Sequence, residues 1–572
     1  MNKNLYKSIL FGLTLTVSTP ALAIDPFTVQ TPSSVNPGQL EQRFQDKEAP
    51  KAGGKKILPD VNQEQKAPAR GEEVVFTLKG VNISGSTVYE KGAFQDIYNE
   101  FVGKEISLAQ VFDFAAKITA RYRNDGYILS RAIVPPQRVA NGIIEIQAIE
   151  GFIDQISFEG EIEGKQNLLN KYASRVKQDQ PLRAKSLERF VLLTNDLPGV
   201  SGRVVLLPSP TVTGASDVVV VLTHDKYEHS LTVDNRGSRF LGPIQLSASV
   251  NANSLLGNYE QLSFRHVSST QRDEFNLYEV NYEQPFGPDG LKFNSSISRS
   301  LITPGYDIKQ FDVQSDSTRF TAGFFVPLLR TREENFSIST TFDYRDSVTT
   351  ILNTETSQDR IRSFKVATSY DFLDSYRGIN LFNLAMTQGL DVFHSTPSGS
   401  ARLTRAHGKS DFTKFNLDML RLQNLAPNLN LYLSATGQYS IDQLLSSEEF
   451  GYGGAQFGRA YDPSEITGDH GFSAQAELRY QNALSSSGYL TNYELFTFYD
   501  FGAAYRIDST DGKGARISGA SVGAGVRFGA INDISGTLEV ALPLTRSVET
   551  RSSNDAEKGD DPRVFFSVIK TF

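Results

Sequence analysis

From Tyr227 onward the chain alternates apolar and polar residues with a period of two and almost no helical signal. Ile244, Leu246, Ala248, Val250 and Ala252 point one way, and Gln245, Ser247, Ser249 and Asn251 the other. Tyr278, Val280 and Tyr282 oppose Glu279, Asn281 and Glu283 in the same manner. Such alternation marks strands with two chemically different faces. A soluble sandwich shows it too, so alternation alone does not choose. Three features favour an all-β transmembrane barrel: about 345 residues of it in one block, abundant Phe and Tyr suited to interfacial girdles, and a final Phe572. At roughly 10 residues per strand plus connections, residues 226–572 hold about 16 antiparallel strands.

Ahead of this block the period lengthens. Residues 73–151 predict a small α/β unit: a strand over Val74 to Leu78, a short helix near Lys91 to Phe101, and a longer helix. Ser107 with Gln110 forms a capping box, and Leu108, Val111, Phe112, Ala115, Ile118 and Tyr122 follow at helical spacing until Asn124-Asp125-Gly126. Strands over Tyr127 to Val134 and Gly142 to Ile149 complete the order β-α-α-β-β. Residues 152–225 repeat that order without repeating the sequence: strand Ile153 to Phe158, helices Gln166 to Val176 and Ala184 to Asn195, strands Gly202 to Leu207 and Asp217 to Thr223. Two tandem units of one topology suggest a periplasmic arm.

The N-terminal region predicts no core of its own. Residues 37–47 can form three helical turns with Leu40 and Phe44 as their one apolar pair at i, i+4 spacing. Glu48 to Glu72, rich in Pro, Gly and Lys, reads as a linker that reaches roughly 80 Å when extended. Residues 1–23 read as a signal peptide: Lys3 and Lys7, an apolar stretch from Ile9 to Val17, and the small-residue site Ala21-Leu22-Ala23. Later residues contain no apolar run of the 18 or more that a membrane helix needs. Absence of cysteine excludes thiolate chemistry and Cys-ligated metals. A net charge of −8 with scattered basic residues argues against a nucleic-acid partner. The six histidines show no ligand spacing, no Ser/His/Asp set emerges, and no P-loop is present, so neither an enzyme nor a metal or cofactor is expected.

One loop breaks the alternation: FGRAYDPSEITGDHG, residues 457–471. Together with YRNDGYILSRAIVPPQ (122–137), LERFVLLTNDLPGV (187–200), DNRGSRFLG (234–242) and YDFG around Asp500, it resembles the outer-membrane transporters of two-partner secretion, the haemolysin secretion/activation family. That resemblance implies an N-terminal plug helix, a linker, two periplasmic POTRA domains and a 16-stranded barrel in the outer membrane of a Gram-negative bacterium. It also implies that the loop folds back into the lumen. The family's tetrad V-R-G-Y/F falls on Gly458, Arg459, Ala460 and Tyr461, with Gly in place of Val and Ala in place of Gly. Its barrel-wall partner F-x-D-x-G falls on Phe498, Asp500 and Gly502, which share one strand face. The plug falls on Leu40 and Phe44.

The expected partner is a secreted exoprotein of the two-partner type, recognised by its N-terminal secretion domain, with lipid around a barrel that needs no second copy. The exoprotein adds as a strand to an exposed edge, for which Val204, Val205, Leu206 and Leu207 are the candidates. Competing readings are a barrel-assembly factor of the same superfamily, which carries more than two modules, a passive porin, and a secreted lectin-like sandwich.

Overall fold

The computed structural model describes residues 25–29, 31–45, 48–54, 57, 65–139, 141–161, 166–484, 488–507, 516–548 and 559–572. The expected signal peptide, residues 1–23, lies outside them. Sixteen antiparallel strands, from Tyr227–Asp234 to Arg563–Thr571, close into a barrel, and Ser567 to Thr571 pair with Asp234 to Ser230 to complete the ring. Closure leaves no strand edge in the wall.

The faces of that wall are inverted relative to a soluble sandwich. Val250, Phe264, Val280, Ile297 and Phe320 are direct cross-strand partners on five successive strands, and each is between 38% and 52% exposed on the outer surface. One residue along, the inner face carries the ion pairs Arg265–Glu279 at 2.8 Å and Arg319–Asp343 at 2.5 Å. An apolar belt outside and charges inside suit hydrocarbon around the barrel and water within. This decides between membrane and sandwich. Among the described residues no helix is long and apolar enough to cross a membrane; the strands do so.

One end of the barrel has short turns, such as those between Gln314–Arg330 and Glu334–Ile351 and between Gly378–Gly389's predecessor Thr354–Leu373 and that strand. The other end carries the long connections, residues 390–412 and 441–469. Two α/β units precede the first strand at the short-turn end. In the second, Asn167–Gln178 and Ala184–Asn195 pack on a sheet ordered Phe152–Gly160, Ala215–His224, Val200–Pro208. All five elements match expectation to within a few residues.

The first unit differs at its start. The sheet strand parallel to Ile143–Ile149 is Gly80–Ser84, not Val74 to Leu78. Val75–Thr77 instead pairs with Glu105–Ser107 in a separate ribbon. Gly80-Val-Asn-Ile-Ser alternates less conspicuously, but Val81 and Ile83 pack on the unit's core whereas Val75 stays exposed. The capping box on Ser107 and Gln110 is present, and the helix Leu108–Asn124 buries Val111, Phe114, Ala115, Ile118 and Tyr122. The expected short helix shrinks to Gln95–Tyr98 plus a 3-10 turn through Phe101.

The N-terminal helix covers Pro37–Arg43 and lies inside the barrel. Asn36 caps it by accepting bonds from Gly38 N and Gln39 N, and Pro37 occupies its first position. It ends before residue 47: Phe44 N and Gln45 N donate to Glu41 O and Gln42 O, tightening the last turn. The linker is not free throughout, either. Ala52 is buried, Ile57 packs against the second unit, and Gln65 bonds the first.

Candidate functional site

Residues 441–469, between the strands Leu429–Ser440 and His470–Ala483, fold inward as the resemblance implies. A small hairpin, Phe450–Tyr452 with Ile466–Gly468, stiffens the loop. Its tip presents Arg459 to the wall. Arg459 donates from its backbone N and Nε to Asp500 Oδ2 at 3.0 and 3.1 Å and from Nη2 to Asp500 Oδ1 at 2.9 Å. Its Nη1 donates to Glu477 Oε2 at 2.7 Å and lies 3.8 Å from Glu539. The guanidinium also sits 3.4 Å above the Phe498 ring. Arg459 is 3% exposed and Asp500 0%, so this cation–π face and three carboxylates compensate a charge removed from water.

The structure therefore brings Arg459, Phe498 and Asp500 together. Register explains the rest of the pocket: Glu477 and Gln475 are the direct cross-strand partners of Phe498 and Asp500, and Gln475 Oε1 accepts from Arg459 Nη2 at 3.4 Å. Ala460 packs among Phe496, Phe498, Ala541 and Phe565. Arg563, on the last strand, donates to Ala460 O and to Asp462, each at 2.7 Å. Tyr461 donates its hydroxyl to Ala520 O at 3.1 Å.

The glycines have one explanation between them. A Cβ at Gly458, Gly502 or Gly519 would lie 2.6, 2.3 or 2.7 Å from the Tyr452 ring. Tyr452 is fully buried, so the loop docks by setting this ring onto bare backbone. The left-handed backbone falls at Gly458, with φ +71°, and not at Ala460. Alanine in the tetrad's third position is thereby accommodated. Tyr452, Glu477, Glu539 and Arg563 escaped the sequence reading. Their signal is the period-two alternation, which places Glu477 on the lumen face, but only register brings it to Arg459.

Leu40 and Phe44 meet the wall as a plug would. Leu40 packs with Val35, Leu241, Val267, Phe275 and Leu277, and the Phe44 ring stacks on Phe275 at 5.9 Å. The helix also touches the inward loop: Gln39 Nε2 donates to Ser446 O and Glu449 O, and Gln42 Nε2 to Ser447 O. Arg43 donates to Gln245 and Asp234 at 2.8 and 3.2 Å. Below, a cavity of about 630 Å³ opens at the short-turn end, lined by Asn428, Gln481, Glu494, Arg527, Thr537 and Ser567 among others.

Val204, Val205, Leu206 and Leu207 are not part of this assembly. They lie on Val200–Pro208, which pairs with Ala215–His224 on one side and with no strand on the other among the described residues. Val204 is buried, whereas Val205 and Leu207 are 39% and 48% exposed.

Comparison with known proteins agrees with this architecture. Residues 214–526 match the family model described as haemolysin secretion/activation protein ShlB/FhaC/HecB, and residues 76–151 the ShlB-type POTRA domain. The heme/hemopexin transporter protein HuxB of Haemophilus influenzae (strain 86-028NP) is 25% identical over 93% of this chain and 94% of its own. The outer membrane transporter CdiB of Dickeya dadantii is 23% identical over 85% of this chain and 86% of its own. The solved structure of CdiB from Escherichia coli superposes with a TM-score of 0.71 at 20% identity, covering 94% of this chain and 98% of that one.

Proposed function

From the premise that this chain belongs to the haemolysin secretion/activation family, outer-membrane β-barrels of two-partner secretion with periplasmic POTRA domains, we propose that it threads an unfolded exoprotein through its own lumen without a nucleotide. The exoprotein's N-terminal secretion domain docks on the POTRA arm, the plug helix leaves, and the chain passes outward. Folding outside, worth about 5–15 kcal/mol per domain, makes return negligible. One copy suffices, since the ring closes on itself, and outer-membrane lipid packs on its apolar belt.

The open edge of Val200–Pro208 carries this reading. Asp225 N donates to Gly199 O and Ser209 N to Ala215 O, so the odd residues turn their backbone toward the neighbouring strand. Val204 and Leu206 therefore aim N–H and C=O groups outward, where an extended peptide adds as a strand and exposed Val205 and Leu207 meet its side chains. The equivalent edge of the first unit offers far less: it is the three-residue strand Arg131–Ile133, with Gln65 already bonded to Val134.

Leu206→Pro tests it. Proline is tolerated on an edge whose N–H faces outward, so the barrel assembles, while one cargo bond is lost and its neighbours are obstructed. The expected result is weaker binding of the partner's secretion domain and reduced exoprotein in the medium. Normal binding and secretion by this variant would sink the edge-pairing mode.

A further inference from the structure

The linker and the second POTRA domain meet at one closed polar ring on the short-turn rim of the barrel. Asp371, at the end of the strand Thr354–Leu373, accepts at Oδ2 from Lys51 N at 3.1 Å, Ala52 N at 2.6 Å and Asn335 Nδ2 at 2.9 Å. Asn335 Oδ1 accepts from Arg330 Nη1 at 2.9 Å. Arg330 in turn grips Asp196 of the second POTRA domain through Nε at 2.7 Å and Nη2 at 2.9 Å. The Lys51 ammonium returns to Asp196 at 4.0 Å, which closes the ring. Ala52 and Asp371 are 6% and 4% exposed, and Gly53 N donates to Arg332 O at 2.9 Å. A sequence that reads as an unstructured tether is thus fastened where the arm docks.

We infer that this ring is a latch: Asp371 is a positioning residue that keeps the plug helix seated, and Asp196 ties the latch to the second POTRA domain. Movement of that domain takes Asp196 from Arg330 and Lys51 together and loosens the linker. The inference rests on the transport reading, in which the plug has to leave. Six residues lie between Phe44 and Lys51, a span of seven Cα–Cα steps, so the latched tether keeps the helix within about 25 Å of the rim and at high effective concentration over its seat. Unlatched, with the adjoining Gly53–Arg332 bond released along with it, the free tether runs on to the further anchors Ile57 or Gln65. Effective concentration then falls as about the −3/2 power of tether length, or roughly two- to fivefold.

Single-channel recording of the full-length protein in planar bilayers, without cargo, tests this. Asp371→Ala and Asp196→Ala are each expected to raise the open fraction by roughly two- to fivefold, and together no further than either alone. Asp371→Asn, which keeps an acceptor oxygen for the two linker N–H groups, is expected to stay near wild type. Ala52→Pro removes a donor from the linker while leaving the barrel wall intact, and is expected to match Asp371→Ala; heat-modifiable mobility confirms an assembled barrel in every case. Deletion of residues 37–45 supplies the fully open reference. If that deletion opens the channel but Asp371→Ala and Ala52→Pro do not, the latch is overturned. If they do and Asp196→Ala does not, the tie to the POTRA domain is overturned. A deletion without effect overturns the plug reading itself.

Discussion

Two segments fill the same lumen, and they are held in different ways. The inward loop engages the wall through Arg459, whose backbone N, Nε, Nη1 and Nη2 all find acceptors and whose flat face rests on Phe498. The plug helix packs one apolar residue deeply, Leu40, and is held besides by the Phe44–Phe275 stack, by amide side chains on loop carbonyls and by Arg43 on Gln245 and Asp234. Among the described residues Gln39 Oε1 has no hydrogen-bond donor, and Glu41 meets Arg345 at 3.5 Å, longer than a direct hydrogen bond of good geometry. Amide and carboxylate groups of that kind are served as well by water as by protein. The loop is therefore built as a fixture and the helix as a removable part, although both look like luminal filling.

The sharpest way to break the comparison is at Arg459. Arg459→Ala leaves the buried Asp500 without its cation, whereas Glu477 keeps Arg479 and Arg527 and Glu539 keeps Arg236, a change of about 3–5 kcal/mol for a buried pair. Secretion is expected to fall to background while a membrane-inserted, heat-modifiable barrel persists. Asp500→Ala leaves Arg459 with Glu477 and Glu539, so it is expected to reduce secretion less severely. Equal secretion by Arg459→Ala and wild type, measured as exoprotein in the medium, would remove the loop from the mechanism.

Next in size is the glycine seat of Tyr452. Gly502→Ala places a methyl 2.3 Å from the ring, an overpacking of about 1–3 kcal/mol. Limited proteolysis from the long-loop end is expected to cut residues 441–469 faster in this variant, and Tyr452→Leu in the same chain to slow cleavage again. A Gly502→Ala loop as resistant as wild type would mean that the ring does not need bare backbone beneath it.

Smaller still is the stability cost of removing the helix. Deleting residues 37–45 is expected to raise basal conductance yet shift the barrel's unfolding midpoint by only about 1–3 °C, because Leu40 is the helix's one residue in the buried apolar cluster, worth about 1.5–3 kcal/mol. A collapse of the barrel on deletion would show the helix to be structural.

What could be read from sequence follows the same division. Strand alternation is a local property, so the barrel and a count of about 16 strands are legible in it, whereas the triad Phe498, Asp500 and Gly502 is picked out by the family resemblance and alternation adds only that the three share one face. Both helices of the second POTRA domain were legible for the same reason, since Leu168, Leu169, Tyr172, Leu187, Phe190 and Val191 repeat at helical spacing. Tyr452, Glu539 and Arg563 reach the loop from other parts of the chain, and period alone does not report which strand faces which. The first strand of the first domain was misplaced because Val74 to Leu78 is the more apolar run, whereas the sheet recruits Gly80–Ser84 for its pairing with Ile143–Ile149. The linker's anchors at Lys51, Ala52 and Gly53 are hidden because they use backbone N–H groups, which every residue but proline carries.

The smallest expected effect concerns how the helix's tether responds to pH. Burial pushes the Asp196 carboxyl up, but the Arg330 hydrogen bonds, with the charges of Lys51, Arg330 and Lys292, outweigh it and hold the group below the usual carboxylate range. A lowered folded-state value stabilises docking above the ordinary aspartate value of about 3.9, and that contribution is lost as pH falls through the lower folded value. Open fraction in bilayers is therefore expected to stay flat from neutral pH down to about 4 and to rise only below it. With Asp196→Asn, the rise attributable to this group should vanish. An opening step near pH 6 to 7 that Asp196→Asn abolishes would mean that Asp196 titrates far above its docked value, and hence that the domain it belongs to is not held at the rim by Arg330.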